Sequence, residues 1–343
     1  MAQELTIKNW DPLEGTPDLT GKVAFITGGN CGLGLMTVKF LALRGAKVYL
    51  GTRDEGRTQT AMSALLAQNG AIKAAQLHRV HLDLADVTTA VRAADAFKEK
   101  ESRLDILIHM AAATGNPRRT KDAWESHIAG DFAFHFLLTN QLLPLLKATA
   151  RLPGTDVRIV GLTSGAASSF LPAGYKPNFT SRDVLADPAP YYPWAWRWLT
   201  SRVFVLDMIL YSIGKIAGTG FIRALQRRLD EEGVPVLCTS IHPGEVRTDK
   251  TVGSMVPWLA SLVDGNFLSL EEGSGHTVFA AAAPQVREEE AKYKGQYLMP
   301  LGKVAKLHPL VENDEQIQGL WRNSEAAINE VLAEQGLQEM LPW

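Results

Sequence analysis

Short apolar runs recur along this chain, separated by longer stretches in which apolar residues return every three or four positions. Runs of the first kind read as buried strands and stretches of the second kind as helices with one apolar face. Lys22–Thr27 is the first strand, and Gly34–Arg44 a helix that Gly45 stops. Lys47–Gly51, Leu77–Leu82 and Leu104–Ile108 continue the strands, with helices over Gly56–Gln68 and Val87–Lys100 between them. Lys121–Thr149 predicts a long helix, Asp156–Leu162 a fifth strand, Asp207–Glu231 a helix, Pro235–Ile241 a sixth strand and Gln296–Met299 a seventh. Such alternation predicts an α/β fold: a parallel sheet with right-handed crossovers, helices on both faces and ligands at the strands' carboxyl ends. Neither an internal repeat nor a low-complexity linker is present, so 1–343 reads as one domain.

The turn after the first strand adds a ligand class. Thr27-Gly28-Gly29-Asn30-Cys31-Gly32-Leu33-Gly34 follows Val23-Ala24-Phe25-Ile26 directly. Strand, glycine turn and helix in this order bring backbone N–H groups and a helix N-terminus to a pyrophosphate. The spacing is T-G-x-x-x-G-x-G, not G-x-G-x-x-G. The fold expected is therefore a Rossmann-type doubly wound sheet of about seven strands.

Composition narrows the field. A net charge of −2 without a basic tract argues against nucleic acid, and Arg118-Arg119 and Arg227-Arg228 read as solvated pairs. Two cysteines, Cys31 and Cys238, make no disulfide framework. No metal-ligand spacing stands out. Met1–Thr20 is too polar for a secretory signal, and no apolar run is long enough to span a bilayer. The expectation is a soluble, cytoplasmic protein.

At the end of the second strand a dinucleotide fold reads the adenosine ribose: an acidic residue bonds a free 2′-hydroxyl, an arginine accommodates a 2′-phosphate. Here the strand ends Gly51-Thr52-Arg53-Asp54. Arg53 offers a planar cation for phosphate, while Asp54 reads as the start of the next helix, so NADP is expected over NAD. Asp83, closing the third strand, either accepts from the adenine amino group or caps a helix.

Tyr211-Ser212-Ile213-Gly214-Lys215 sets a phenol and an ammonium on one helix face. Ser164 ends the fifth strand, Pro243-Gly244 follows the sixth, and Thr248 lies just beyond. In this order, after the glycine turn, these residues resemble the classical short-chain dehydrogenase/reductase superfamily, most closely its retinol-dehydrogenase-like fungal branch. The likeness spans about Leu19 to Lys250, and more weakly Gly295–Trp321. The resemblance implies that Tyr211 is the general acid/base, that Ser164 orients the substrate oxygen, and that Lys215 lowers the tyrosine pKa and holds the nicotinamide ribose. It assigns cofactor contact to Gly28, Asn30, Cys31, Gly32, Leu33, Gly34, Arg53, Asp83, Leu84, Ala111, Tyr211, Lys215, Pro243, Gly244, Val246 and Thr248. Thr248 would meet the carboxamide. It also implies a homodimer or tetramer.

Two positions depart from that pattern. Where the family has Asn-Asn-Ala-Gly after the fourth strand, this chain has His109-Met110-Ala111-Ala112. His109 either titrates near neutrality or, as expected, is satisfied by a backbone carbonyl. Asp131 falls where the family places an active-site asparagine beside the lysine. An aspartate there either pairs with Lys215 and keeps a proton relay alive, or quenches the lysine's influence on Tyr211; a one-residue offset would put it in solvent.

Ser164 and Tyr211 stand 47 positions apart, far more than is usual in the family. The 165–205 insertion holds Tyr175, Phe179, Tyr191, Tyr192, Trp194, Trp196 and Trp198. These rings either cover a bulky, largely apolar substrate, or pack among themselves or in a subunit interface. Tyr192–Leu199 also reads as a weak interfacial membrane anchor. Val256–Leu270 and the helix Asn323–Glu334 are expected at the rim. The leading expectation is an NADP(H)-dependent oxidoreductase acting on a bulky hydrophobic ketone, aldehyde or secondary alcohol, a small-molecule enzyme with no nucleic-acid partner. A non-redox cyclase or isomerase, or a cofactor-binding regulator on the same fold, is the alternative.

Overall fold

Phe25, Tyr49, Leu107 and Ile159 point to one side of a sheet, and their chain neighbours Ile26, Leu50, Ile108 and Val160 to the other. That two-residue alternation, apolar on both faces, is what a strand covered by helices on each side requires. The structure, a computed structural model, describes residues 10–113, 117–172, 174–189, 191, 193–253, 255–256, 265 and 267–343. The strands are β1 (Val23–Thr27), β2 (Lys47–Thr52), β3 (Leu77–His81), β4 (Ile106–His109), β5 (Val157–Leu162), β6 (Val236–Ile241), β7 (Tyr297–Met299) and β8 (Lys303–Ala305). They form an eight-stranded sheet in the order β3-β2-β1-β4-β5-β6-β7-β8. All neighbours are parallel except β7 and β8. Phe25 pairs with Tyr49 on one flank and Leu107 on the other, so β1 is central and the strand order reverses between β1 and β4. Ligands bind at that reversal in folds of this kind.

The helices that carry the argument are α1 (Gly32–Leu43), α2 (Glu55–Gln68), α3 (Thr88–Lys98), α4 (Phe134–Ala150), α5 (Trp194–Thr200), α6 (Met208–Glu231), α7 (Leu270–Ala282) and α8 (Asp314–Glu334). Phe97 of α3 and Phe136 of α4 belong to the core on the Phe25 side; Leu41 of α1 and Phe279 of α7 belong to the core on the Ile26 side. Each such ring or branched chain contributes about 1.5–3 kcal/mol by leaving water. Arg158 is buried in this sheet, donating to the Asp156 carboxylate and to the carbonyls of Ala280 and Ala283. It therefore supplies donors to carbonyls at the C-terminal end of α7, where Pro284 has no N–H to offer Ala280.

Four expectations change. β8 is an eighth strand, three residues long and too polar to register as an apolar run. The predicted helix over Lys121–Thr149 starts instead at Ser126, where the Glu125 side chain accepts from the His127 and Ile128 amides as an N-cap. It then passes through a π turn, Ala129–Ala133, before α4 begins. The expected rim helix, Asn323–Glu334, is the second half of α8, and Ile328 and Leu332 are fully buried in the core. Its Trp321 packs with Phe136 and Trp343 at 4.9 and 4.4 Å.

The insertion is divided in the same way. Phe179 is fully buried, its amide bonded to Gln316 of α8 at 2.8 Å; Tyr175 is buried, with its hydroxyl on the Tyr191 carbonyl. Trp196 donates to the Phe170 carbonyl at 3.0 Å. These rings anchor the segment, whereas Tyr191, Trp194 and Trp198 are exposed. Tyr192, and 257–264 and 266 of the expected rim Val256–Leu270, lie outside the described residues. No described helix is long and apolar enough to cross a membrane.

Candidate active site

β1 ends at the strand-order reversal, and Gly28 turns the chain there with φ +74°. A Cβ at Gly28 would stand 3.0 Å from the Ala111 backbone, and one at Gly34 would stand 2.1 Å from the Gly28 carbonyl oxygen. The loop can fold this tightly only with glycine at both positions. Cys31 is the N-cap of α1 but makes no side-chain cap, and the first turn holds no acidic residue. The helix's positive end is thus left for an anion. Asn30 donates to Thr58 at 3.1 Å, and Thr58 bonds Thr52 at 2.7 Å, tying the loop to the end of β2.

Arg53 follows, 72% exposed, with its guanidinium 3.9 Å from Asp83. Asp54 caps α2 by accepting from the Arg57 amide at 2.8 Å, the helix-starting role expected of it. The Asp83 carboxylate accepts from the Ala85 amide. Leu84 packs over Gly130. Beyond β6, Gly244 turns with φ +90° against Leu268 and Pro300, and Val246 bridges to Leu268. Val246 and Leu33 meet over Gly273, and the Thr248 methyl lies 3.9 Å from the Cβ position of Gly32. The sequence-predicted cofactor residues therefore converge on one edge. The narrow turns, the uncapped helix end and the exposed arginine fit a dinucleotide carrying phosphates.

Asp207 caps α6 by accepting from the Ile209 and Leu210 amides, which fixes where the helix begins and puts Tyr211 in its first turn. Lys215 lies one turn on, its Nζ 5.5 Å from the Tyr211 ring centre. Nζ donates to Asp131 at 3.2 Å and to the Leu162 carbonyl at 3.4 Å. Thr163 donates to the Lys215 carbonyl at 3.4 Å, so Ser164, next in the chain, is drawn to the same helix. Tyr211 and Ser164 are half-buried, whereas the side chains of Lys215 and Asp131 are 5% and 0% exposed. Asp131 thus faces Lys215, not solvent. Glycines permit the approach: a Cβ at Gly214 would lie 3.2 Å from Asp131 Oδ2, and one at Gly218 would lie 2.8 Å from its carbonyl.

Burial opposes the Lys215 charge, but the Asp131 carboxylate outweighs it and holds the lysine pKa above its ordinary value. Burial raises the Asp131 pKa, opposed by Lys215 and then His127. Lys215 therefore holds its charge, and Asp131, 3.2 Å from it, is the partner whose proton is held to higher pH than on an ordinary carboxyl.

Glu125 and His127 were not singled out in the sequence, and the structure brings them here. His127 Nδ1 bonds Glu125 at 2.9 Å, both side chains buried, and the His127 ring stands edge-on to Tyr211 with centroids 6.2 Å apart. A pair two residues apart at the start of a helix resembles neither a metal spacing nor an amphipathic stripe, so no sequence signal separates it from a cap. His109 corrects an expectation as well. Its partner is the Thr139 hydroxyl at 2.9 Å, not a backbone carbonyl, and burial pushes its pKa down to about 3, so it is neutral. It stacks on His135 at 4.7 Å, and His135 in turn bonds Thr27. The same Thr27 hydroxyl accepts from the Met110 and Ala111 amides, holding β4's end against β1 where the family uses asparagines.

A strand-order reversal with a glycine turn, and a tyrosine and a buried lysine one helical turn apart on α6, define the class as a dinucleotide fold. The short chain dehydrogenase family model matches residues 22–175. A short chain dehydrogenase/reductase of Colletotrichum higginsianum is 37% identical over 321 residues, covering 93% of this chain and 78% of that protein. One of Gibberella zeae is 35% identical over 322 residues, covering 93% and 85%. A solved structure of an uncharacterized Mycobacterium paratuberculosis protein superposes with a TM-score of 0.65 at 25% identity, covering 93% of this chain and 97% of that one. The chain belongs to the short-chain dehydrogenase/reductase family, whose members use a nicotinamide cofactor.

Proposed function

We propose that this enzyme is an NADP(H)-dependent carbonyl reductase or alcohol dehydrogenase acting on a bulky hydrophobic ketone, aldehyde or secondary alcohol. The observation that carries the reading is the buried Lys215, one helical turn from Tyr211 and bonded to Asp131 and to the Leu162 carbonyl, two residues before Ser164. The dinucleotide would lie on Gly28–Gly34 and along Ala111, Pro243, Gly244, Val246 and Thr248. Bound there in reduced form, it supplies the hydride. Tyr211 holds a proton at its phenol oxygen and gives it to the substrate oxygen as the carbonyl is reduced. Ser164 donates a hydrogen bond to that oxygen and orients it. Lys215 keeps a positive charge beside the phenol. Charge favours the reaction most where water is excluded, and both partners of the Lys215–Asp131 pair are buried.

NADP is favoured by Arg53. It is mostly in solvent and only loosely held by Asp83, so it is free to turn onto a 2′-phosphate. Asp54, the competing reader of a 2′-hydroxyl, is engaged as the α2 cap. A hydrophobic substrate is supported by the exposed Tyr191, Trp194 and Trp198 on a segment tied to the α6 N-cap by Arg197 and Asp207, 3.3 Å apart. The test is a binding titration of NADPH and NADH followed by turnover on a panel of apolar carbonyls. Arg53→Ser is expected to weaken NADPH about 10- to 100-fold, the loss of a charge-assisted phosphate contact, and to leave NADH unchanged. Equal binding of both cofactors by the unaltered enzyme would overturn the NADP assignment.

A further inference from the structure

Asp131 poses an electrostatic problem that Lys215 alone does not solve. A carboxylate in place of an amide adds a full negative charge next to the ammonium that is to act on Tyr211, and a tight ion pair would absorb that ammonium's field. We propose that His127 is a positioning residue for this site: held as an imidazolium by Glu125, it shares the Asp131 charge with Lys215 and so leaves the lysine available to Tyr211.

Three independent features meet here. The Glu125 carboxylate accepts from His127 Nδ1 at 2.9 Å and from the His127 and Ile128 amides, so it is fixed in place as well as paired. The buried His127 Nε2 and Asp131 Oδ2 each have no protein hydrogen-bond partner. Both residues press on one spot of α6: a Cβ at Gly214 would lie 3.0 Å from the His127 carbonyl and 3.2 Å from Asp131 Oδ2. Side by side there, Glu125 and His127, Asp131 and Lys215 make two buried ion pairs around the first turns of α6, balanced in charge. The other charged or titratable groups facing His127 are Asp207 at the α6 N-cap and Tyr211. Burial disfavours the imidazolium, yet Glu125, with Asp131 and Asp207, carries its pKa above the ordinary histidine value. The charge therefore persists to higher pH than on an ordinary histidine and is lost as pH climbs through that raised value.

The inference rests on the reading of Tyr211 as the acid/base, and its test has a readout that does not. In the full-length enzyme, ¹⁵N-histidine spectra would follow the His127 titration with and without Asp131→Asn; the midpoint is expected to fall when the carboxylate is removed. An unmoved midpoint overturns the proposal even if the enzyme turns over. In kinetics, His127→Gln and Glu125→Gln are each expected to lower kcat about 10- to 100-fold, the scale of a buried charge interaction, with NADPH affinity kept. The pH profile of alcohol oxidation should move to higher pH. In an Asp131→Asn background His127→Gln should have little further effect. An equal loss in both backgrounds would mean that His127 only supports the fold. If the unaltered enzyme reduces no carbonyl while the His127 midpoint moves as expected, it is the proposed function that fails.

Discussion

Removing the lysine of the buried pair should harm this protein more than removing the charge of the aspartate, and the difference should depend on pH. In Lys215→Met the Asp131 carboxyl, its side chain fully buried, loses the ammonium bonded to it and keeps only His127 as an opposing charge. Burial then favours keeping its proton in the folded state, while the unfolded chain releases it above 3.8. Because the folded state binds the extra proton, stability falls as pH rises, by about 1.4 kcal/mol per pH unit. From 3.8 upward this comes to about 1.5 kcal/mol at pH 5 and about 4 kcal/mol at pH 7, for as long as the carboxyl stays protonated. The figure at pH 7 agrees with the roughly 3–5 kcal/mol typical of breaking a buried pair from one side. Asp131→Asn leaves an amide oxygen for the ammonium, as well as the Leu162 carbonyl at 3.4 Å, and should cost about 1–2 kcal/mol. Urea unfolding of both variants and the parent at pH 5 and pH 7 measures these differences. If Lys215→Met is no more destabilised at pH 7 than at pH 5, Asp131 is not a carboxylate held by Lys215, and the electrostatic account of the site is wrong.

Other perturbations test other parts of the structure. Gly34→Ala should abolish measurable cofactor binding, since its Cβ would sit 2.1 Å from the Gly28 carbonyl oxygen and only backbone can yield; tight NADPH binding by that variant would mean the loop is not the phosphate cradle. Burial pushes His109 down to about 3 and His276 to about 4, so both fold neutral while the unfolded chain takes up protons below about 6.5. Each should therefore cost about 2 kcal/mol of stability between neutral pH and pH 5, and a flat stability profile across that range would contradict their burial as neutral groups. Arg158→Met should destabilise by about 1–3 kcal/mol, because it strips a donor from the buried Ala280 carbonyl and one from Ala283, while Asp156 keeps Arg287; equilibrium unfolding decides it, and no measurable loss would show that other donors replace it.

How far the sequence led depended on where each signal came from. The central strands were legible because both faces are buried, which makes each an unbroken apolar run bounded by glycine or charge. β8 was not, being a short polar edge. The helix over Ser126–Ala150 was legible as a helix, but its start was not: Glu125 reads as an ordinary helical residue until its side chain is seen capping the turn. The π turn at Asp131 has no compositional signature, since its widened spacing answers to packing against Gly214 and Gly218. Ser164, Tyr211 and Lys215 stood out through their order and spacing. His127 did not, for its partners come from its own cap and from α6, 84 residues away in the case of Tyr211. The aromatic insertion shows the converse. Its rings were conspicuous in the sequence, but only burial separates Phe179 and Tyr175, which anchor it, from Trp194 and Trp198, which face outward.

The central claim is that Tyr211 delivers the proton that accompanies hydride transfer to a carbonyl. Its most direct test is a single-turnover measurement: enzyme loaded with NADPH is mixed with bulky apolar ketones and aldehydes, and loss of the reduced nicotinamide is followed beside Tyr211→Phe. The account predicts loss in the unaltered enzyme and none in Tyr211→Phe, with NADPH bound equally tightly by both. Loss at the same rate in Tyr211→Phe would contradict it.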